Sequence, residues 1–142
     1  MTSIATEFPA KGKVVRIENG RVVFAPSDTN YELHLSMVPG AVDAPTGVLV
    51  EGVIRATARK LLTVPPGGNF VAPIFGTPKT VQGRVRTLDD RTLVIQAGTS
   101  FVIELPVEDN ALDLNNGSIG VGTLVNVIVQ PGASFEFLRA AS

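Results

Sequence analysis

Lys11-Gly12-Lys13-Val14-Val15-Arg16-Ile17-Glu18-Asn19-Gly20-Arg21-Val22-Val23-Phe24 returns later in the chain as Gln82-Gly83-Arg84-Val85-Arg86-Thr87-Leu88-Asp89-Asp90-Arg91-Thr92-Leu93-Val94-Ile95. Each copy reads as a strand, a turn and a second strand. Asn19-Gly20 suits a type I′ hairpin turn, in which both central residues need positive φ. Asp89-Asp90 fills the same slot in the second copy. The echo goes on: Tyr31-Glu32-Leu33-His34-Leu35 is matched by Phe101-Val102-Ile103-Glu104-Leu105, and the strand led by Gly52 is matched after Gly122. A repeat of about 70 residues is too long for a solenoid unit and is the size of a minimal domain. The sequence therefore predicts an all-β protein of two duplicated modules related by an internal pseudo-two-fold.

The first module is assigned to residues 1–62, with strands at Lys13–Glu18, Arg21–Ala25, Tyr31–Leu35 and Gly52–Leu62. The second, 81–142, has strands at Val81–Leu88, Thr92–Ala97, Phe101–Leu105 and Leu124–Gln130, with a short closing strand at Phe135–Leu138. Between them lies a linker, 63–80, holding Pro65, Pro66, Gly67, Gly68, Pro73, Gly76 and Pro78. Those residues rule against a continuous strand or helix. The linker also carries Phe70, Val71, Ile74 and Phe75, and a flexible linker would be polar. It is expected to lie against the gap between the modules, or against a partner. No segment has sustained helical periodicity.

The chain has 142 residues, 44% of them apolar and 18% charged, which is globular composition. A module of half this length buries little surface, so the two are expected to share an interface. Cysteine is absent, which excludes disulfides and thiolate metal sites. No apolar run approaches a bilayer-spanning length. The opening Met1-Thr2-Ser3-Ile4-Ala5-Thr6-Glu7 lacks the basic and apolar regions of a secretory leader, so the expected location is cytoplasmic.

Net charge is −1, but it is unevenly placed. Residues 1–51 carry −2, residues 52–88 carry +6 with no acid, and residues 89–142 carry −5. The basic block consists of Arg55, Arg59, Lys60, Lys79, Arg84 and Arg86. Such a block can pair with the acidic segment of the same chain across the interface of the modules, or with that of another copy.

Gly12-Lys13-Val14 and Gly83-Arg84-Val85 at the starts of the modules, with Val121-Gly122-Thr123-Leu124-Val125 before the fourth strand, resemble small five-stranded OB-like barrels. The TOBE and molybdate-binding modules, which also occur in tandem, are among these. The resemblance covers Lys11–Leu62 and Val81–Leu138. It implies two OB-like barrels. It also implies a small-oxyanion site, of which Thr57-Ala58-Arg59-Lys60 is a partial echo, with Thr57, Arg59 and Lys60 as ligands.

From the residues themselves, alternation puts Arg55 and Arg59 on one strand face and Arg84 and Arg86 on another. Guanidinium groups suit phosphate, and Phe70 and Phe75 lie in sequence between the two pairs, as base-stacking rings would. The opposing reading is a solvated face that offsets the acidic segment. Phe70, Ile74 and Phe75 otherwise read as an interface loop or as simple burial. His34, the one histidine, has neither a cysteine partner nor a nucleophile beside it. Glu108-Asp109-Asn110 and Asp113-Leu114-Asn115-Asn116-Gly117 miss the EF-hand spacing and read as turns. No catalytic motif, phosphate loop, metal site or cofactor signature is present. The expectation is a non-enzymatic binding or assembly module for a macromolecular partner, itself or another protein. Single-stranded nucleic-acid binding is the second reading and oxyanion binding the third.

Overall fold

A computed structural model describes residues 4–38, 44–64, 67–89, 91–105 and 119–141. The acidic turn candidates at 108–117, Asp90, and Pro65 and Pro66 lie outside the described residues. The chain is all-β, with its strands joined in one eleven-stranded sheet. Among the described residues the helical content is a single 3-10 turn at Ile4–Thr6.

The strands are β1 (Ala10–Glu18), β2 (Arg21–Pro26), β3 (Glu32–Met37), β4 (Leu49–Thr63), β5 (Phe70–Ala72), β6 (Phe75–Gly76), β7 (Thr80–Leu88), β8 (Thr92–Gln96), β9 (Ser100–Glu104), β10 (Leu124–Val129) and β11 (Ser134–Ala140). Period-two alternation forms them: in β1, Ala10, Gly12 and Val14 are buried while Lys11, Lys13 and Val15 are exposed. Asn19 and Gly20 take φ of 52° and 75°, the turn their identities predict.

The pairings run in two circuits that share β4. One goes β1–β2–β3–β11–β4 and back to β1; the other goes β4–β10–β7–β8–β9 and back to β4. The N-terminal part of β4 pairs with β1 and β11, and its C-terminal part with β9 and β10. So β11, which follows β10 in sequence, lies in the circuit of β1–β3. The end of β4 lies in the circuit of β7–β10. In each circuit one pairing is parallel: β11 with β3, and β4 with β9.

The two circuits repeat the same register. Val14 faces Phe24 and Arg16 faces Val23, with Val15 bulged out; Val85 faces Ile95 and Thr87 faces Val94, with Arg86 bulged out. Gly12 and Lys13 face Val50 and Leu49; Gly83 and Arg84 face Val125 and Leu124. Both glycines are buried, and a Cβ on either would fall on a backbone carbonyl of the next strand, Ala25 or Gln96. Close backbone approach therefore selects glycine at both positions.

The third strands correspond with a shift from the sequence match. Phe24 faces Leu33 and Ile95 faces Phe101, so Leu33, rather than Tyr31, holds the place of Phe101. The connection after β2 is longer than that after β8, a difference that residue pattern alone does not register. By the same logic, Leu49 rather than Gly52 aligns with the first residue of β10.

The linker contributes two short strands. β5 pairs with β7, and β6 pairs in parallel with β3, so its ends are tied into different circuits. Val71 is buried. One apolar cluster joins both circuits, running from Val14, Phe24 and Leu35 through Ile54 and Ala58 to Ile95, Ile103 and Val127. A second, smaller cluster, Val53, Val94 and Val102, lies on the outside and is covered by Ile4, Phe8 and Leu138.

Candidate functional site

The basic block does not form one stripe. In β4 the register slips between Ala58 and Lys60, leaving Arg59 without an opposite residue. A bulge breaks alternation, so Arg59 and Lys60 are both exposed before Leu61 turns inward. Arg55 lies a turn of the pleat away, half-buried, with its guanidinium 3.3 Å from Glu136 of β11. Arg84 donates to the Gly122 carbonyl at 3.0 Å. Arg86, at the bulge of β7, donates to Gln96 Oε1 at 3.1 Å and stacks over Phe8, 4.3 Å from the ring centre. Thus Arg55 and Arg86 serve the fold, one as an ion pair between strands and one as a clamp on the N-terminal segment.

The structure does bring part of the block together with part of the linker. Directly opposite residues on neighbouring strands point to the same side of a sheet. One such row crosses four strands: Phe70 on β5, Gln82 on β7, Asn126 on β10 and Leu62 on β4. The next row is Ala72, Thr80, Ile128 and Lys60. Arg84, two residues along from Gln82, points to the same side. Phe70 and Leu62 are 40% and 46% exposed, which for large apolar side chains marks a surface that water covers poorly. Asn126 Nδ2 donates to Gln82 Oε1 at 3.0 Å, and Gln82 Nε2 donates to the Gly68 carbonyl at 2.7 Å. That chain of amides holds the middle of the row in place. The paired positions on this face carry no acid.

Ile74 and Phe75 fall elsewhere. Phe75, 59% exposed, faces Glu32 across the β6–β3 pairing. Thr57 and Arg55 border a hollow of about 110 Å³ that also contains Glu104. With Arg55 already paired to Glu136 and Glu104 in the same wall, no positive charge is left over to hold an oxyanion there. The side chains of Lys60 and Arg59 have no hydrogen-bond or ion-pair partner among the described residues.

Sequence reasoning missed Leu62, Gln82 and Asn126. Their signal was present as outward positions of strands, but which strands are neighbours could not be read from it. Among the described residues no group of three potential metal ligands converges, and no helix is long and apolar enough to cross a membrane. No family model matches the chain, and neither a curated protein nor a solved structure matches it.

Proposed function

We propose that this chain is a non-catalytic binding module built from two OB-like barrels, and that it docks an acidic segment of a protein partner on the outer face of β5–β7–β10–β4. The closed pairing circuits, each with one parallel pairing, support the barrel reading. The repeated bulge and the repeated buried glycine support the duplication. The circuits interlock: each takes its fifth strand from the sequence region of the other.

The observation that carries the docking face is the row Phe70–Gln82–Asn126–Leu62, flanked by Lys60 and Arg84 and free of acids. Exposed apolar side chains on paired strands lose little freedom on binding, which favours association. Basic neighbours steer an acidic partner and reject a basic one. The consumption of Arg55 and Arg86 inside the fold favours this reading over a nucleic-acid surface built from Arg55, Arg59, Arg84 and Arg86.

The test is fluorescence anisotropy with two labelled probes, an acidic leucine-containing peptide and a single-stranded oligonucleotide, at low and moderate salt. Peptide binding that is lost in Phe70→Ser and weakened in Lys60→Glu is the expected result. Oligonucleotide binding with a steep salt dependence would replace this reading with the nucleic-acid one. Binding of neither probe would remove the docking face.

A further inference from the structure

The outer faces of the two first hairpins differ in a way the shared register makes exact position by position. In the second circuit the face is Thr87, Val94 and Val102 in one row, with Asp89, Thr92 and Glu104 beside it. It is roofed: Ile4 and Phe8 of the N-terminal segment lie on Val94 and Val102. In the first circuit the same positions are Arg16, Val23 and His34, with Glu18, Arg21 and Ser36 beside them. Formal charge on these six positions goes from −2 to +1, with His34 counted neutral. Among the described residues no apolar side chain joins Val23 in a cluster, as Ile4 and Phe8 join Val94 and Val102. Instead this face holds a hollow of about 190 Å³, lined by Arg16, Glu18, Asn19, Arg21, Val23 and His34.

The cations there are not spent on the fold. The side chains of Arg21 and His34 have no hydrogen-bond or ion-pair partner among the described residues. Arg16 Nε lies 3.7 Å from Glu18 Oε1, with both side chains about half or more exposed, and such a pair is weak and easily rearranged. Three nitrogen-bearing side chains thus converge on a floor formed by Val23, which is itself buried.

We propose that this open face binds a phosphate monoester. Two guanidinium groups match phosphate oxygens bidentately, and an imidazole supplies a further donor. A phosphate monoester carries roughly −1.5 to −2 near neutral pH, which Arg16 and Arg21 oppose once the weak, exposed Arg16–Glu18 pair opens to solvent. At about 190 Å³ the hollow is several times what a single ordered water requires, enough for a phosphate and the first atoms of its ester. The face belongs to the other circuit from the β5–β7–β10–β4 surface, so its fate is separate from that of the protein-docking proposal.

Phosphorus NMR of methyl phosphate titrated with the whole chain tests the site. The expected result is a saturable shift, with binding weakened roughly tenfold or more in Arg21→Gln and in Arg16→Gln. His34→Val installs the residue that holds this position in the other circuit, which keeps the variant folded, and it should weaken binding severalfold. Tighter binding of phosphoserine or of a nucleoside monophosphate than of methyl phosphate supports the site and identifies the carrier; equal binding supports recognition of the phosphate alone. No saturation, equal affinity in all three variants, or equal competition by acetate at matched ionic strength would each overturn the proposal.

Discussion

The Phe24 ring from β2 and the Phe135 ring from β11 meet with centroids 4.8 Å apart and planes tilted by 31°. Both are buried. The contact joins the first hairpin to the last strand, and it sits where β11 closes the circuit of β1–β4. Offset or tilted ring pairs of this kind add to the area they bury.

Phe135→Ala should cost about 3–5 kcal/mol, the usual range for emptying a buried phenyl site. Urea unfolding followed by circular dichroism reads it as a fall in the midpoint. An effect under about 1 kcal/mol would mean that β11 is not part of the cooperative fold.

Cutting the chain in the linker should leave neither part folded. A fragment ending at Val64 has no β11 to pair with β3 and β4, and a fragment starting at Gly67 has no β4 to pair with β9 and β10. Each would expose unpaired strand edges. The expectation is disordered or aggregated fragments that recover folded β signal when mixed, and a single unfolding transition for the whole chain. A stable, monomeric fragment from either side would contradict the interlocked arrangement.

Gly83→Ala should destabilise by about 1–3 kcal/mol, because its Cβ would meet the rigid Gln96 carbonyl rather than a movable side chain. Gly12→Ala should do the same at Ala25. Gly20→Ala is the contrast: a Cβ there meets nothing within 4 Å, and φ is 75°. The cost is then the left-handed strain alone, about 1–2 kcal/mol. Thermal unfolding of the three variants side by side checks the ordering of causes.

Arg86 and Lys60 should separate stability from binding. Arg86→Ala removes the contact over Phe8 and the bond to Gln96. Exposed cation–π contacts are worth about 0.5–1 kcal/mol, so it should lower stability by that order and leave peptide binding intact. Lys60→Glu should leave stability near wild type and weaken the peptide. A reversed pattern in the two assays would place the docking surface near Arg86 instead.

Much of the local structure was legible. The turn at Asn19-Gly20 follows from the φ those residues accept, and the alternation of β1 and β7 shows which side chains face inward. The paired glycines at 12 and 83 stood out as an echo. The linker's apolar residues announced that it would be held, and Val71 is buried with β5 and β6 paired to different circuits. Less legible were the bulges. The inward–outward alternation holds up to Arg59 and up to Arg86 and breaks just after each, at Lys60 and Thr87. The extra residue left unpaired at each place resets the phase, and nothing local in Ala58-Arg59-Lys60 signals it.

The sequence by itself determined that the chain is all-β and where its first hairpin turns, and it showed one strand–turn–strand pattern recurring, because these depend on residues close together. Only the tertiary structure decided that β11 completes the circuit of β1–β3 and that the end of β4 completes that of β7–β10. It alone decided that Phe70, Gln82, Asn126 and Leu62 share a row, and that Ile4 and Phe8 lie over one hairpin face and, among the described residues, not over its counterpart. Strand partnership is settled by which edges find each other across the fold. An outward-facing residue carries the same pattern whatever strand lies beside it, so its neighbours can be known only once the sheet has closed.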